Sequence, residues 1–438
     1  MEVKEVPQES IYRVTRRVRF MHFLPMWRSS VSKLQAVLHA AARRELRLAG
    51  LLAAAVLYGC TSALASEDAV TAPAPPPPAL DAPVPLGPGP DPRIGRPVPP
   101  RPDSPERPPL SAAEKTPHVA LLLPLGSQAF RRHAEAVRDG FQAAARVQGG
   151  AGLPVRVYAL GDDPQQAVEH YIRALEAGAR VAVGPLTRSA VSAIADSATA
   201  LVPTLLLNVP ERRPGAPGDN LYVFSLQIEA EARQVAQIAY HEGYRKAIVV
   251  ADDSPLLRRV RQAFVDRFTG LGGAEIAAHT FTPDPSGLAR IKQAVDAGAA
   301  DVAFLALDFR RARLARPYLG ALPIFATSLV HAGDAGTLAG FDLAGVRFLD
   351  MPWLLQPDHP AVMSYARRGF QVDIELNRFY AFGIDAFRIA LTLLGGTAGA
   401  EIDGVTGRLT LGPDRRFVRG LTAAQFTDGK VTAMRPRP

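Results

Sequence analysis

From residue 118 onward, short apolar runs alternate with segments of helical spacing, and no other feature limits the possible folds so strongly. The first run, His118-Val119-Ala120-Leu121-Leu122-Leu123-Pro124-Leu125, is apolar almost without interruption. Such a strand is buried on both faces, as happens in parallel sheets covered by helices. Residues 129–147 follow, with Ala136, Val137, Gly140, Phe141 and Ala144 on one helical face. Further strands are predicted at 153–160, 180–184 and 202–208, with helices at 164–177 and 189–200 between them. The alternation then restarts. Strands are predicted at 221–226, 246–251, 274–281, 301–307 and 323–327, and helices at 229–242, 255–271, 288–297 and 310–319. This predicts an α/β fold of two doubly wound parallel-sheet lobes, similar in pattern but without a repeat of sequence. Residues 377–394 read as a long amphipathic helix carrying Phe379, Phe382, Phe387 and Ile389, and 404–414 as a β-hairpin. Such a tail can pack back on both lobes.

The segment before this body has a different character. A ten-residue apolar run, 48–57, follows Arg43, Arg44 and Arg47 and ends in Tyr58-Gly59-Cys60, the chain's one cysteine. Basic residues, a short apolar stretch and small residues make an export signal, and about 20 apolar residues would be needed to span a membrane. Residues 1–59 are expected to be that signal, with Met21 or Met26 as alternative starts. Leu57-Tyr58-Gly59-Cys60 resembles a lipobox, which would make Cys60 the lipidated (diacylglycerol and palmitate) N-terminus. Ala63-Leu64-Ala65 is a rival cleavage site that would leave a soluble secreted protein. Residues 1–59 hold ten Lys/Arg and four Asp/Glu, so the exported remainder carries only about +2 of the chain's net +8. The basic pI is therefore no argument for nucleic acid. Residues 60–116 read as a linker. Between 71 and 110 lie 17 of the 39 prolines, which forbid helix and sheet and favour an extended polyproline segment.

In open α/β sheets ligands sit beyond the carboxyl ends of the strands. The residues expected to face a cleft between the lobes are Gly126, Ser127, Gln128, Leu186, Thr187, Asn208, Asp252, Asp253, Ser254, Asp308, Thr327 and Ser328. Small polar groups there can donate to a carboxylate or amide, although each can equally cap a helix. Ser254 before Pro255 is a natural cap position. No catalytic residue is expected: the chain has no G-x-S-x-G, H-E-x-x-H, P-loop or G-x-G-x-x-G pattern. Ser30-Val31-Ser32-Lys33 has the S-x-x-K form but lies in the leader. His118, His133, His170, His241, His279, His331 and His359 have no metal-ligand spacing, so neither metal nor cofactor is expected. Arg310, Arg311, Arg313 and Arg316, like Arg258, Arg259 and Arg261, make basic helices that serve as solvated faces or dock on an acidic surface.

Several stretches resemble the LppC-type lipoproteins, penicillin-binding protein activators of Gram-negative bacteria. They include Ala136-Val137-Arg138-Asp139-Gly140-Phe141, Val183-Gly184-Pro185-Leu186 and Glu231-Ala232-Arg233-Gln234. The most specific is Asp350-Met351-Pro352-Trp353, followed by Gly383-Ile384-Asp385-Ala386-Phe387 and Gly404-Val405-Thr406-Gly407. The likeness runs from about 118 to 430. It implies a type I periplasmic-binding-protein fold whose lobes are joined by three crossovers, near 226, at 328–352 and in the tail. Lobe 1 would comprise 117–226 and 353–400, and lobe 2 would comprise 227–352 and 401–438. The resemblance also implies a function. The protein would be a non-enzymatic lipoprotein on the periplasmic face of the outer membrane that binds and stimulates a class A, bifunctional penicillin-binding protein, with a small peptidoglycan-related ligand as an additional partner. The alternative is a periplasmic solute-binding protein for an amino acid or peptide transporter. The proline-rich segment stands where the best-known members carry a helical-repeat domain.

Overall fold

The computed structural model describes residues 115–197, 200–211, 220–333, 337–367 and 373–434. The expected export signal, Cys60 and nearly all of the linker lie outside these residues. Three sheets organise the body. The first runs β2 (Val155–Ala159), β1 (His118–Leu123), β3 (Ala179–Val183), β4 (Thr204–Leu206) and β5 (Leu221–Val223), in that order and all parallel. Successive side chains of a strand point to opposite faces, and β1 uses both. Val119, Leu121 and Leu123 face the core under α1 (Arg131–Gln148), whereas Ala120 and Leu122 face α2 (Pro164–Glu176) and α3 (Arg188–Asp196).

The second sheet repeats this plan. Its parallel part has β7 (Ala274–Thr280), β6 (Lys246–Ala251), β8 (Val302–Ala306), β9 (Ile324–Ala326) and β10 (Val346–Asp350) side by side. The strand order by appearance, second-first-third-fourth-fifth, is thus the same in both sheets. One face carries α4 (Ile228–His241) and α5 (Pro255–Gly270), and the other α6 (Pro285–Asp296) and α7 (Phe309–Ala315). Capping sets several helix starts. Asp163, Ser254 and Asp284 each accept a backbone N–H from the first turn and each precede a proline, which has no N–H to lose there.

Beyond β9 the chain makes the short helices α8 (Thr337–Phe341), α9 (Pro352–Leu355) and α10 (Pro360–Met363), then the long α11 (Ile374–Leu394). α11 packs along α1 at a close approach that two glycines permit. A methyl on Gly140 would run into the Tyr380 carbonyl, and one on Gly383 into the Val137 carbonyl. The tail ends in β11 (Ile402–Asp403), β12 (Arg408–Leu411) and β13 (Phe417–Gly420), then β14 (Thr422–Thr427) and β15 (Lys430–Ala433). β14 adds antiparallel to β10, and β15 to β14, completing the second sheet.

The fold differs from the sequence expectation at three places. The sequence pattern does not predict strand β10, since it reads 328–352 as a crossover; the crossing itself is confined to its end, where Asp350 leaves the sheet and Met351 and Trp353 enter the first lobe's core. Residues 401–438 were assigned whole to lobe 2, yet Ile402, Val405, Leu409 and Phe417 are buried with the first lobe and only β14 and β15 join the second sheet. The hairpin expected at 404–414 is displaced toward the C-terminus, to β12 and β13. Residues 404–407 are instead held by a buried carboxylate. Asp385 accepts from the N–H groups of Val405 (3.1 Å) and Thr406 (2.7 Å) and from the Thr406 hydroxyl (2.6 Å). Trp353 N–H donates to the Val405 carbonyl at 2.9 Å. Three of the sequence blocks that carried the family resemblance therefore meet at one place.

Candidate functional site

The chain passes between the lobes three times: between Phe224 and Ile228, at Asp350–Met351, and at Gly420–Leu421. Beside these crossings lies a cleft of about 620 Å³, lined from lobe 1 by residues such as Phe130, Leu207 and Phe379 and from lobe 2 by Leu256 and Leu329. Its walls are chiefly apolar, which is usual for small-molecule sites of this size.

The floor is charged. Arg378 projects from α11 of lobe 1 and donates to the Asp350 carboxylate at 2.7 Å through Nη2. The same nitrogen reaches the carbonyls of Ser328 (3.2 Å) and His331 (3.3 Å). His331 Nδ1 lies 2.8 Å from the same oxygen, Asp350 Oδ2, that Arg378 Nη2 contacts. Glu231, on the first turn of α4, accepts the Ser328 N–H at 3.1 Å and pairs with Arg419 of β13 at 3.5 Å. Asp350, Glu231 and Arg419 are all buried. Burial pushes the Asp350 carboxyl up, but the Arg378 guanidinium and the His331 contact outweigh it and hold the group at about 2. Glu231 behaves oppositely. Burial raises its pKa, the Asp350 charge adds to that, and the longer pair with Arg419 does not offset them. Counted together, two carboxylates face two guanidiniums, so the floor neutralises itself.

Two other charged groups on the walls are paired. Arg259 Nε lies 2.9 Å from Glu229, and His133 lies 3.6 Å from Glu375. Arg188, at the start of α3, is exposed and makes no side-chain ion pair among the described residues.

Of the residues expected at the cleft, Leu186, Asn208 and Ser328 line it. Asn208 is already engaged: its amide donates to the Leu186 carbonyl at 2.9 Å and its oxygen accepts from Val209 N–H. The rest are placed elsewhere, mostly in local structure. Gly126 N–H donates to the Leu160 carbonyl. Ser127 is buried and its hydroxyl accepts the Phe130 N–H at 3.1 Å, while Gln128 is exposed beside it. Thr187 precedes α3 without a side-chain cap bond. Asp252 accepts the Ser254 N–H and pairs with Arg311 at 3.0 Å, and Asp253 pairs with Arg258 at 3.0 Å. Ser254 and Asp308 cap α5 and α7. Thr327 is fully buried beneath the Ser328 turn. The basic helices are largely occupied too, with Arg313 on Asp342, Arg316 on the Ala344 carbonyl, Arg261 on Glu275 and Arg311 on Asp308.

Sequence reasoning missed the residues that build the floor. Glu231 and Asp350 stood in two of the blocks carrying the family resemblance, a signal that they do more than solvate. Arg378 and Arg419 had no local signal. Among the described residues no cluster of potential metal ligands occurs, and no helix is long and apolar enough to cross a membrane.

Two similar α/β lobes, three crossings and a cleft at the strand ends define a type I periplasmic-binding-protein fold. The chain belongs to the family described as "LppC putative lipoprotein", whose model matches residues 110–297 and 301–429. Among curated proteins it is similar to "Penicillin-binding protein activator LpoA" of Pantoea ananatis, at 26% identity over 328 residues, covering 63% of this chain and 47% of that one. The chain thus spans about half the length of the curated relatives it matches. Among solved structures, "Structure of a putative branched-chain amino acid ABC transporter" from Chromobacterium violaceum is 37% identical with a TM-score of 0.62, covering 71% of this chain and 100% of that one. The Haemophilus influenzae LpoA C-domain, titled "a regulator of PBP1A", shares the fold at 23% identity and a TM-score of 0.62, covering 72% of this chain and 99% of that one.

Proposed function

We propose that this chain is an envelope lipoprotein whose folded body docks on a class A, bifunctional penicillin-binding protein and stimulates its peptidoglycan synthesis without catalysing a reaction itself. The observation that carries this reading is the extent of the family match, which takes in nearly the whole described body. The names of the curated relatives support it. In this reading residues 1–59 are the export signal, Cys60 carries diacylglycerol and palmitate on the periplasmic face of the outer membrane, and the proline-rich segment lets the body reach toward the inner membrane. Stimulation arises by tighter binding to the active conformation of the synthase than to the inactive one.

The test is direct. The immobilised full chain should bind a detergent-solubilised class A synthase of its host saturably and raise its glycan polymerisation rate at constant enzyme. Absence of binding to every class A synthase of the host overturns the proposal. Mass spectrometry of the mature N-terminus should find a lipid-modified Cys60; a chain beginning at Ser66 would remove the anchor and make the protein soluble in the periplasm.

The likeness to the Chromobacterium violaceum structure and the size of the cleft favour a second reading, a periplasmic solute-binding protein for an amino acid or peptide transporter. A ligand present at 100 times its Kd stabilises a protein by about 2.7 kcal/mol. Thermal melts with amino acids and transport peptides should therefore rise by several degrees under the second reading and stay flat under the first.

A further inference from the structure

We propose that the hinge between the lobes is locked by the buried ion-pair cluster, so that the lobes move as one body and the cleft keeps a fixed opening. Each of the three crossings carries a member of that cluster. Glu231 lies on the first turn of α4, just after the first crossing. Asp350 is the last residue of β10, at the second. Arg419 is the penultimate residue of β13, at the third. Arg378, from α11 of lobe 1, closes the set by taking acceptors that all belong to lobe 2: the Asp350 carboxylate and the carbonyls of Ser328 and His331.

The direction of the pairing gives the lock its strength. Both buried carboxylates, Glu231 and Asp350, lie on lobe 2 elements, and both guanidiniums come from elements packed on lobe 1. Swinging the lobes apart would strip the guanidiniums from two buried carboxylates, a costly loss of partners. Opening would also take the Arg378 donor away from the His331 carbonyl. A hinge built for closure on a ligand needs crossings free to change their backbone angles. Here the crossings are tied to one another through side chains. The inference holds whichever partner or solute the protein takes, so its failure and the failure of the functional proposal can be told apart.

Hydrogen exchange on the full chain tests it. In the wild type, amides at 228–231, 351, 353–354 and 419–422 should exchange about as slowly as those of β1 and β6. Arg378→Gln should speed exchange at all three crossings together by more than tenfold while β1 and β6 stay protected. Arg378→Lys, which keeps the charge but loses the fork, should lie between. Should Arg378→Gln fail to accumulate as folded protein, Arg419→Gln, at the longer pair, gives the same reading. Two results overturn the lock: fast exchange at the crossings already in the wild type, or a change in the variants confined to α11 or spread evenly through both sheets.

Discussion

At the scale of single residues, the two buried carboxylates of the cleft floor respond to pH in opposite ways. Asp350 titrates at about 2, below the ordinary 3.8. Its contribution is fully present above the unfolded value and is lost as the pH falls through the folded one, so stability should drop between about pH 4 and 2. The shift corresponds to about 2–3 kcal/mol at neutral pH. Glu231 is raised above 4.5, so its contribution is present in acid and is lost as the pH rises through its folded value. Denaturant titrations should therefore find Asp350→Asn more damaging at pH 7 than Glu231→Gln, and only Asp350→Asn should flatten the acid limb of the stability curve. The reverse ranking would mean that Arg378 does not discriminate between them. Asp385 is a separate case, because it holds the 404–407 loop with three hydrogen bonds. Asp385→Ala should destabilise by about 2–4 kcal/mol, since three donors lose their acceptor.

Among the elements, α11 has the greatest influence on the fold. Nearly every residue from Tyr380 to Ala390 is buried, which for a helix means packing on all sides. Its approach to α1 depends on Gly140 and Gly383, and the added carbon of Gly383→Ala meets backbone, which cannot rotate away. That variant should lose about 2–3 kcal/mol or more in chemical denaturation, with Gly140→Ala similar, as overpacked cores do. Ser254→Ala, at the α5 cap, should cost only about 1 kcal/mol. The contrast separates helix packing from helix initiation. The element alternation was legible in the sequence because strands buried on both faces leave unbroken apolar runs. β10 escaped because Arg347 interrupts its apolar pattern and an exposed loop precedes it. The Arg347 guanidinium is received by Glu242, just past the end of α4, a partner about a hundred positions away that no local pattern reveals.

Across the whole molecule, the crossings decide how the protein behaves. Two lobes with separate cores could melt separately. Three crossings tied by buried charge should make them unfold together, so calorimetry of the full chain should show a single transition for the folded body. Arg378→Gln should split or broaden it. Two transitions in the wild type would contradict the coupling. The surface bears on docking as well. Most arginines of the two basic helices are already paired within lobe 2, so a partner does not meet a bare cationic face there. It meets mixed charge, over which surface ion pairs contribute little.

The chain's own pattern determined the α/β class, the two repeating units, the positions of most strands and helices and, through its sequence blocks, the family. These rest on local periodicity, which any window of the sequence carries. Tertiary structure alone decided that the tail is shared between the lobes, that most polar residues at the strand ends are engaged in caps, turns and ion pairs instead of lining a cleft, and that Glu231, Asp350, Arg378 and Arg419 meet at one point. The physical reason is that a buried charge is tolerated only beside its opposite, and here the opposite charges arrive from elements far apart along the chain, brought together only when both sheets have formed.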